Sequence, residues 1–274
     1  MKNRRKTIIT KDEVYEKILP DDVGTLFDAP FYTEFRHYKK TSDNMPLSKY
    51  KRIDKDTYVD TETGEIMKYK RNEKKTEGSF KENHKNIPAI IKGHFEGNNT
   101  ERHIILKYDK PVYTPESLSE DFKKFLKRFN KVCSDYIYVY GKEPFSDGPW
   151  HIHCIIKVAN EEFDFSEEII SELWKKGRVI IEKIRDIDRF CWRFDILRTE
   201  EKRKRLRFYP ANFHPFGYTR GLNKNISNVP YKDVPNYTKN KELIYKQQYS
   251  VGCFNDNGEL NNFGKIKYEQ YKLK

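Results

Sequence analysis

The apolar positions of this chain are concentrated in its middle part, and both ends are mostly polar and charged. Short apolar and aromatic runs predict strands, and apolar residues spaced three and four apart predict helices. The predicted strands lie at 104–108, 136–140, 150–157, 178–184 and 203–209, and the predicted helices at 114–129, 164–174 and 187–197. Their order along the chain predicts an α+β fold, an antiparallel sheet with helices packed mainly on one face.

The ends of two predicted helices carry sequence signals of their own. Thr114 followed by Pro115 predicts the start of the first helix, because threonine caps free N–H groups and proline suits the first helical position. Asp164 or Ser166 is the candidate cap of the second helix. Gly177 predicts the end of that helix, since glycine readily adopts the conformation that follows a last helical turn.

Outside the middle part the pattern supports fewer elements. A turn at 61–65 separates two candidate strands, at 57–59 and 66–69. Residues 80–93 predict short helical turns that Pro88 breaks. The sequence therefore predicts three parts: a loosely ordered basic N-terminal extension at 1–100, a main domain at 101–224 and a partly ordered tail at 225–274.

The composition suggests a class of partner. The formal charge is +12, the isoelectric point is about 9.2, and aromatic residues make up 15% of the chain. A basic surface with planar side chains suits a phosphate backbone whose bases can stack, so the composition favours a nucleic-acid partner. The alternative is a lysine-rich composition inherited from an AT-biased genome, which would carry no functional meaning.

Other sequence features bear on where the protein works. The chain begins Met-Lys-Asn-Arg-Arg-Lys, without the apolar run of a secretory signal, and it has no apolar stretch of membrane-spanning length. The four cysteines form no CxxC pair, so neither a disulfide framework nor a zinc ribbon is indicated. We therefore expect a cytoplasmic protein without a membrane partner.

The sharpest chemical feature is a pair of histidines in the strand predicted at 150–157. His151 and His153 are two residues apart, so an extended strand points both side chains to the same face. The turn predicted at 145–149 would fold the chain back and place Glu143 beside them. Two imidazoles and a carboxylate suit a divalent metal, with Mn²⁺ or Mg²⁺ favoured and Zn²⁺ or Co²⁺ also fitting. The alternative is a pair of core histidines bonded to the backbone.

The remaining histidines have no partner at ligand spacing, which predicts ordinary surface or packing roles. They are His37, His84, His94, His103 and His214. Trp150 and Trp174 are likewise expected in the core rather than on a surface where bases could stack on them.

Five passages of the chain carry a resemblance to a known family. They are 47–49 through 61–65, Ile-Ile-Leu-Lys-Tyr at 104–108, 138–143 with Trp-His-Ile-His at 150–153, Leu-Trp-Lys-Lys-Gly-Arg-Val at 173–179, and Arg-Leu-Arg-Phe-Tyr-Pro at 205–210 with Tyr-Thr-Arg-Gly-Leu at 218–222. Together they resemble the rolling-circle replication initiators of the HUH endonuclease superfamily, the replication-associated proteins of Gram-positive plasmids, phages and integrative elements. The resemblance spans about residues 47–224, and its last two passages are the most specific.

The resemblance implies an HUH or ferredoxin-like nuclease sandwich that nicks DNA. In the family, two histidines and a carboxylate hold a divalent metal that polarises the scissile phosphate of single-stranded origin DNA. A tyrosine then attacks and leaves a 5′-phosphotyrosine and a free 3′-hydroxyl that primes synthesis. A host helicase and polymerase are the further partners that the resemblance implies.

This chain departs from the family at the nucleophile. The helix expected to carry Tyr-x-x-x-Tyr has Phe190, Trp192 and Phe194, and no tyrosine occurs between Tyr140 and Tyr209. Three alternatives follow: a nuclease-inactive relative, a chain in which tyrosine has been replaced by phenylalanine, or a takeover by another tyrosine, with Tyr209 and Tyr218 the nearest. The first motif also differs, because Lys107 stands where a hydroxyl is usual; its ammonium could meet a phosphate directly.

The expected phosphate contacts are basic residues near the family's last motif together with the lysine of its first. They are Lys107, Arg203, Arg205, Arg207 and Arg220. The alternative for the cluster at 203–207 is a solvated strand edge.

Three functions therefore compete. The leading hypothesis is a replication initiator that binds single-stranded origin DNA and nicks and rejoins it with a metal. The second is an inactive homologue that binds an origin or promoter as a replication or copy-control factor. The third is a metal-dependent hydrolase that attacks with activated water and needs no tyrosine.

Overall fold

The computed structural model describes residues 7–41, 50–54, 56–69, 77–211, 213–254 and 258–274. The strands are β1 Ile8–Lys11, β2 Val23–Ala29, β3 Tyr32–Lys40, β4 Tyr50–Arg52, β5 Thr57–Asp60, β6 Ile66–Lys68, β7 Glu101–Leu106, β8 Tyr136–Pro144, β9 Trp150–Val158, β10 Val179–Lys183, β11 Phe216–Tyr218, β12 Ile226–Pro230, β13 Lys241–Phe254 and β14 Leu260–Leu273. The helices are α1 Glu77–His94, α2 Leu118–Val132, α3 Glu167–Trp174, α4 Ile187–Cys191, α5 Glu200–Lys204 and α6 Val234–Tyr237.

The chain forms two compact units. One contains residues 72–225, and the other combines residues 1–71 with residues 226–274. This grouping differs from the three parts predicted at 1–100, 101–224 and 225–274, because strands from the two ends of the chain share a sheet. The α+β class with antiparallel sheets is confirmed.

The unit at 72–225 is built on a five-stranded sheet in the order β10-β7-β9-β8-β11, with every neighbouring pair antiparallel. Strand β9, which carries the histidine pair, is therefore central. The expected strands at 104–108, 136–140, 150–157 and 178–184 all occur, with ends shifted by a few residues. A central strand exchanges hydrogen bonds on both sides, so its side chains are held in a fixed register.

Alternation along β9 separates two cores. Its even-numbered residues from Trp150 to Val158 face α2 and α3, whose buried side chains include Phe122, Phe125 and Trp174. Both tryptophans are fully buried there, as predicted. On the other face, Ile155 packs with residues of α1 and α4. His151 and His153 share this second face with Ile155.

Several helix boundaries differ from the sequence expectations. Helix α2 begins at Leu118 rather than at Thr114, and α1 runs unbroken through Pro88. The expected cap of α3 is present, because the Ser166 hydroxyl accepts from the Ile169 N–H. Gly177 has φ +149°, and a Cβ there would meet the Asp109 nitrogen at 2.3 Å, so only glycine fits this close approach.

The prediction of a strand at 203–209 is wrong. Helix α5 covers Glu200–Lys204, and a 3₁₀ turn follows at Arg205–Phe208. Thr199 caps the helix by accepting from the Lys202 N–H. Glu200 and Glu201 lie in the first turn, where negative charge favours a helix. These capping and charge signals outweigh the basic and aromatic composition that had suggested a strand.

In the second unit, the two chain ends form a six-stranded sheet in the order β1-β13-β14-β3-β2-β12. Strands β13 and β14 form a long hairpin, where the sequence had predicted a partly ordered tail. A three-stranded sheet, β4-β5-β6, contains both strands expected around the turn at 61–65. Residues 47–49, which begin the first passage of the family resemblance, lie outside the described residues.

Among the helices that the structure describes, none is both long and apolar enough to span a bilayer.

Candidate metal centre

The β8–β9 hairpin brings a carboxylate to the histidine pair. In its register Glu143 lies directly opposite His151, as the predicted turn required. The turn is closed by a hydrogen bond from the Phe145 N–H to the Pro149 carbonyl at 2.7 Å. Gly148 supplies a φ of +112°, a conformation that side chains other than glycine rarely adopt.

Three potential metal-ligand atoms converge at this point. One atom each from Glu143, His151 and His153 lies within 4.8 Å of the others. The two histidine Nε2 atoms are 2.9 Å apart, and Glu143 Oε2 is 3.6 Å from His153 Nε2. We call these three residues the metal centre. Carboxylate oxygen and imidazole nitrogen together suit Mn²⁺, Zn²⁺ and related divalent ions.

Cations surround Glu143. Arg205 Nη1 donates to Glu143 Oε1 at 3.0 Å, and Lys202 Nζ is 3.9 Å from the same oxygen. Burial raises the pKa of Glu143, and the charges of Lys202 and Arg205 lower it in opposition. The two cations therefore favour the ionised carboxylate, the form that binds a metal.

Burial keeps the histidines of the centre neutral. It lowers the pKa of His151 to about 3 and the pKa of His153 well below its ordinary value, and nearby cations lower both further. His151 also stacks on Phe145, with ring centroids 3.9 Å apart. A neutral imidazole has a free lone pair, so both rings are in the protonation state that metal binding requires.

His103 supports the centre, although the sequence had suggested an ordinary packing role. Its Nε2 lies 3.0 Å from His153 Nδ1, and its Nδ1 lies 2.9 Å from Glu182 Oε2. Arg193 Nη2 contacts the same Glu182 oxygen at 3.1 Å. The sequence did not reveal this role because His103 and Glu182 meet only through the pairing of β7 with β10.

The hydrogen bonds through His103 fix the tautomer of His153. Burial raises the pKa of Glu182, but the hydrogen bond to His103 and the charge of Arg193 outweigh it and lower that pKa, so the carboxylate accepts a hydrogen bond from His103 Nδ1. Burial lowers the pKa of His103 to about 4, so the ring is neutral and its Nε2 must accept from His153 Nδ1. The lone pair of His153 then lies on Nε2 and points toward His151 and Glu143. A carboxylate behind a ligand histidine is the usual support of a protein metal site.

The centre fits a divalent cation on this donor set. Without a cation, the His151 and His153 Nε2 atoms can share only one proton across 2.9 Å. His151 Nδ1 is buried and has no hydrogen-bond partner among the described residues. A cation would replace the shared proton with two nitrogen ligands and one carboxylate oxygen, leaving further positions for water or phosphate oxygens.

The segment expected to supply the nucleophile is apolar. Phe190 is buried and meets the His103 ring edge to face at 4.9 Å. Phe194 is buried against Gly141, where a Cβ would lie 3.2 Å from its ring. Trp192 is 47% exposed. Burial raises the pKa of Cys191 to about 12, so its thiol is not a ready nucleophile either.

Neither alternative tyrosine is presented to the centre as a free hydroxyl. Tyr209 is only 1% exposed, its hydroxyl donates to the Lys142 carbonyl at 3.3 Å, and burial raises its pKa well above the ordinary value. Tyr218 lies on β11, paired with Val139 on the far side of β8 from β9. A buried phenol that keeps its proton is a poor nucleophile.

The five cations predicted to contact phosphate are scattered. Arg205 donates to Glu143 of the metal centre, and Lys107 Nζ lies 5.5 Å from the centre of the Phe145 ring that stacks on His151. Arg203 donates to the Leu197 carbonyl, and Arg207 lies over Phe208 at 4.7 Å. Arg220 is exposed in the turn after β11. The structure thus brings Arg205 and Lys107 to the centre, and Lys202, which the sequence had not suggested, joins them.

Two cavities border the centre. A cavity of about 10 Å³, roughly the space of one water molecule, is lined by Glu143, His153, Phe194 and Tyr209 among others. A larger cavity of about 510 Å³ lies beside His103 and Glu182 and extends along α4. Arg193 lines both.

A comparison with protein-family models finds a match. Residues 101–194 match a family model whose description is that of a replication-associated protein. The matched stretch begins with β7 and ends at Phe194, so it contains the metal centre, His103, Glu182 and the apolar segment of α4. No curated protein and no solved structure matches the chain.

Proposed function

We propose, from the premise that this chain is a protein of the replication-initiator type, that it binds single-stranded origin DNA in the cytoplasm and cleaves one strand at the metal centre. The observation that carries the proposal is the convergence of Glu143, His151 and His153 within 4.8 Å on the central strand pair of the sheet. Recruitment of the host helicase and polymerase to the cleaved strand belongs to the same proposal.

The metal centre suits a phosphodiester. When bound, a divalent cation such as Mn²⁺ or Mg²⁺ would stabilise charge on the non-bridging oxygens and lower the pKa of a water molecule. The positive charges of Lys202 and Arg205 oppose the burial that raises the pKa of Glu143, and so favour its ionised form. Lys107, whose Nζ lies 5.5 Å from the centre of the Phe145 ring, would pair with a phosphate of the bound strand.

The attacking group divides the proposal into two versions. Nicking and rejoining through a phosphotyrosine follows the family resemblance and needs a tyrosine hydroxyl at the centre. Three observations favour hydrolysis by water: Phe190 and Phe194 are buried phenyl groups, Tyr209 is buried, and a water-sized cavity lies against Glu143 and His153. An inactive homologue that only binds the origin is the third outcome of the same test.

One assay distinguishes these versions. The full chain is incubated with Mn²⁺ and a labelled single-stranded DNA library that includes origin sequences, and the products are resolved with and without protease digestion. We expect Mn²⁺-dependent cleavage that Glu143→Gln abolishes. A protein–DNA adduct would select the phosphotyrosine version, and mapping the modified peptide would identify the tyrosine. Cleavage without an adduct would select water.

Binding without cleavage, in any divalent metal, would overturn the proposed nuclease activity and leave an origin-binding factor. The matched control is Glu172→Gln, which removes a carboxylate from the exposed side of α3. It should cleave as the unmodified protein does.

A further inference from the structure

The cavity of about 510 Å³ has the size of a small-ligand site and lies next to the metal centre. One wall is the end of β10 with the loop that follows it, residues 182–186, and the other is α4 with the first residues after it. His103, which is hydrogen-bonded to His153, also lines the cavity. Lys202 lines the cavity and also approaches Glu143, so the cavity and the centre share a cation.

The cavity walls are mainly positive. Five cations line it, against two carboxylates, and they are Lys183, Arg185, Arg189, Arg193 and Lys202. One carboxylate, Glu182, is engaged with His103 and Arg193. The other, Asp186, caps α4 by accepting from the Arg189 N–H. Within the described ranges, the guanidinium groups of Arg185 and Arg189 have no hydrogen-bonded or ion-pair partner.

An exposed aromatic ring completes the cavity. Trp192 lines it and is 47% exposed, whereas Trp150 and Trp174 are buried. The Arg198 guanidinium lies 3.6 Å from the centre of the Trp192 ring, so that contact restrains its orientation. A large exposed aromatic beside unpaired arginines is the combination that binds single-stranded nucleic acid, because one part stacks on a base and the other pairs with phosphate.

We infer that this cavity binds one nucleotide unit of single-stranded DNA adjacent to the phosphodiester at the metal centre, with its base stacked on Trp192 and its phosphate paired with Arg185 and Arg189. The inference rests on the proposed function for its substrate class. It adds a position for the neighbouring nucleotide and therefore a direction for the strand, from the centre past Arg193 and along α4.

The fluorescence of Trp192 provides the test. The full chain is titrated in the presence of a chelator, so that no cleavage occurs, with a mixed-sequence single-stranded oligonucleotide. A base stacked on Trp192 should quench its fluorescence. The change can be assigned to Trp192 because the other two tryptophans are buried. Trp192→Ala should weaken oligonucleotide binding, measured by anisotropy, by about tenfold or more. Trp192→Phe should recover most of that loss.

Salt dependence tests the phosphate half of the inference. Arg185→Ala and Arg189→Ala should each lower the slope of log affinity against log salt by about one. Lys127→Ala is the matched control, since Lys127 is exposed on α2, which packs on the opposite face of the sheet. A slope that falls as much in the control as in the two arginine variants would overturn the phosphate assignment.

Free deoxynucleoside monophosphates distinguish the two sources of a nucleotide. Quenching by the oligonucleotide but not by monophosphates supports a unit of a strand, whereas saturable quenching by monophosphates would overturn that reading in favour of a free-nucleotide site. Unchanged oligonucleotide affinity in Trp192→Ala would sink the inference while leaving cleavage and Mn²⁺ binding, and thus the proposed function, intact. Failure of the unmodified protein to bind any oligonucleotide would sink both.

Discussion

The metal centre and the neighbouring segment Phe190–Phe194 differ in the chemistry of their buried side chains. In the centre, three ligand atoms converge and His103 and Glu182 support them from behind. In the segment, two phenyl rings are packed into the core and no hydroxyl is offered. The rings of His103 and Phe190 touch, so the two regions share a boundary. Strand register alone therefore assembles the three candidate ligands without a tyrosine, and the neighbouring helix contributes hydrophobic packing.

The largest expected effect comes from removing the histidines of the centre. The double variant His151→Ala with His153→Ala should show no Mn²⁺ binding by calorimetry, because only one ligand remains. The control is His214→Ala, which alters an exposed histidine and should bind Mn²⁺ normally. If the double variant bound Mn²⁺ as tightly as the unmodified protein, the two histidines would be purely structural and the site would not be a metal centre.

The segment can be tested by restoring a hydroxyl. Phe194 lines the small cavity with Glu143 and His153, whereas Phe190 lines the larger one. Phe194→Tyr should therefore produce a covalent adduct with single-stranded DNA in Mn²⁺, visible as a shifted protein band. Phe190→Tyr should produce less. No adduct from either variant, with Mn²⁺ binding retained, would show that the segment does not face the bound strand.

A smaller effect on Mn²⁺ affinity is expected from changing Glu182, which contacts the metal centre only through His103. Glu182→Gln removes the carboxylate that accepts from His103, so His153 loses its fixed tautomer. Mn²⁺ affinity should fall by about 10- to 100-fold, and ¹⁵N spectra should show a mixture of His153 tautomers. Glu182→Asp should recover part of the affinity. If His153 kept its tautomer while Mn²⁺ binding weakened, the loss of affinity would come from altered packing instead.

The smallest expected effect is on stability without metal. Burial lowers the pKa of His103, His151 and His153, so the unfolded state takes up protons at a higher pH than the folded state. The stability they contribute is present above about pH 6.5 and is lost as the pH falls below it, by about 2 kcal/mol per histidine at pH 5. The raised pKa of Glu143 acts in the opposite direction, because the folded state holds its proton more tightly.

Urea unfolding at pH 7 and pH 5 in the presence of a chelator measures this loss. In the double variant, the decrease in the free energy of unfolding between the two pH values should be less than half as large. An identical decrease in both proteins would place the responsible groups elsewhere in the chain.

The residues of the metal centre were predictable because one hairpin contains them. Alternation placed His151 and His153 on one face, and the turn at 145–149 set Glu143 opposite, so no distant contact was needed. His103 and Glu182 lie on strands that the sequence did identify, yet their meeting depends on a pairing between strands more than seventy residues apart. Local patterns do not encode such a register.

The second sheet shows why the chain ends were not predicted. Strands β13 and β14 are rich in lysine, glutamine and tyrosine, so they lack the apolar alternation that identifies a strand. Glu269, 1% exposed, accepts from the hydroxyl of Tyr271 on the same strand and from those of Tyr15 and Tyr231, which lie far away in the sequence. The prediction of a strand at 203–209 was wrong for a different reason. Thr199, the residue that caps the helix found there, lies outside the segment whose composition suggested a strand.

In the proposed function, Glu143, His151 and His153 hold the divalent metal at which single-stranded DNA is cleaved. The most direct measurement follows the cleavage rate and the bound Mn²⁺ in the same titration. Bound Mn²⁺ and the cleavage rate should rise with one midpoint, and Glu143→Gln should shift the binding midpoint to weaker affinity and abolish cleavage. Cleavage that persists in a chelator, or that saturates at a Mn²⁺ concentration unrelated to binding at the centre, would contradict the proposed function.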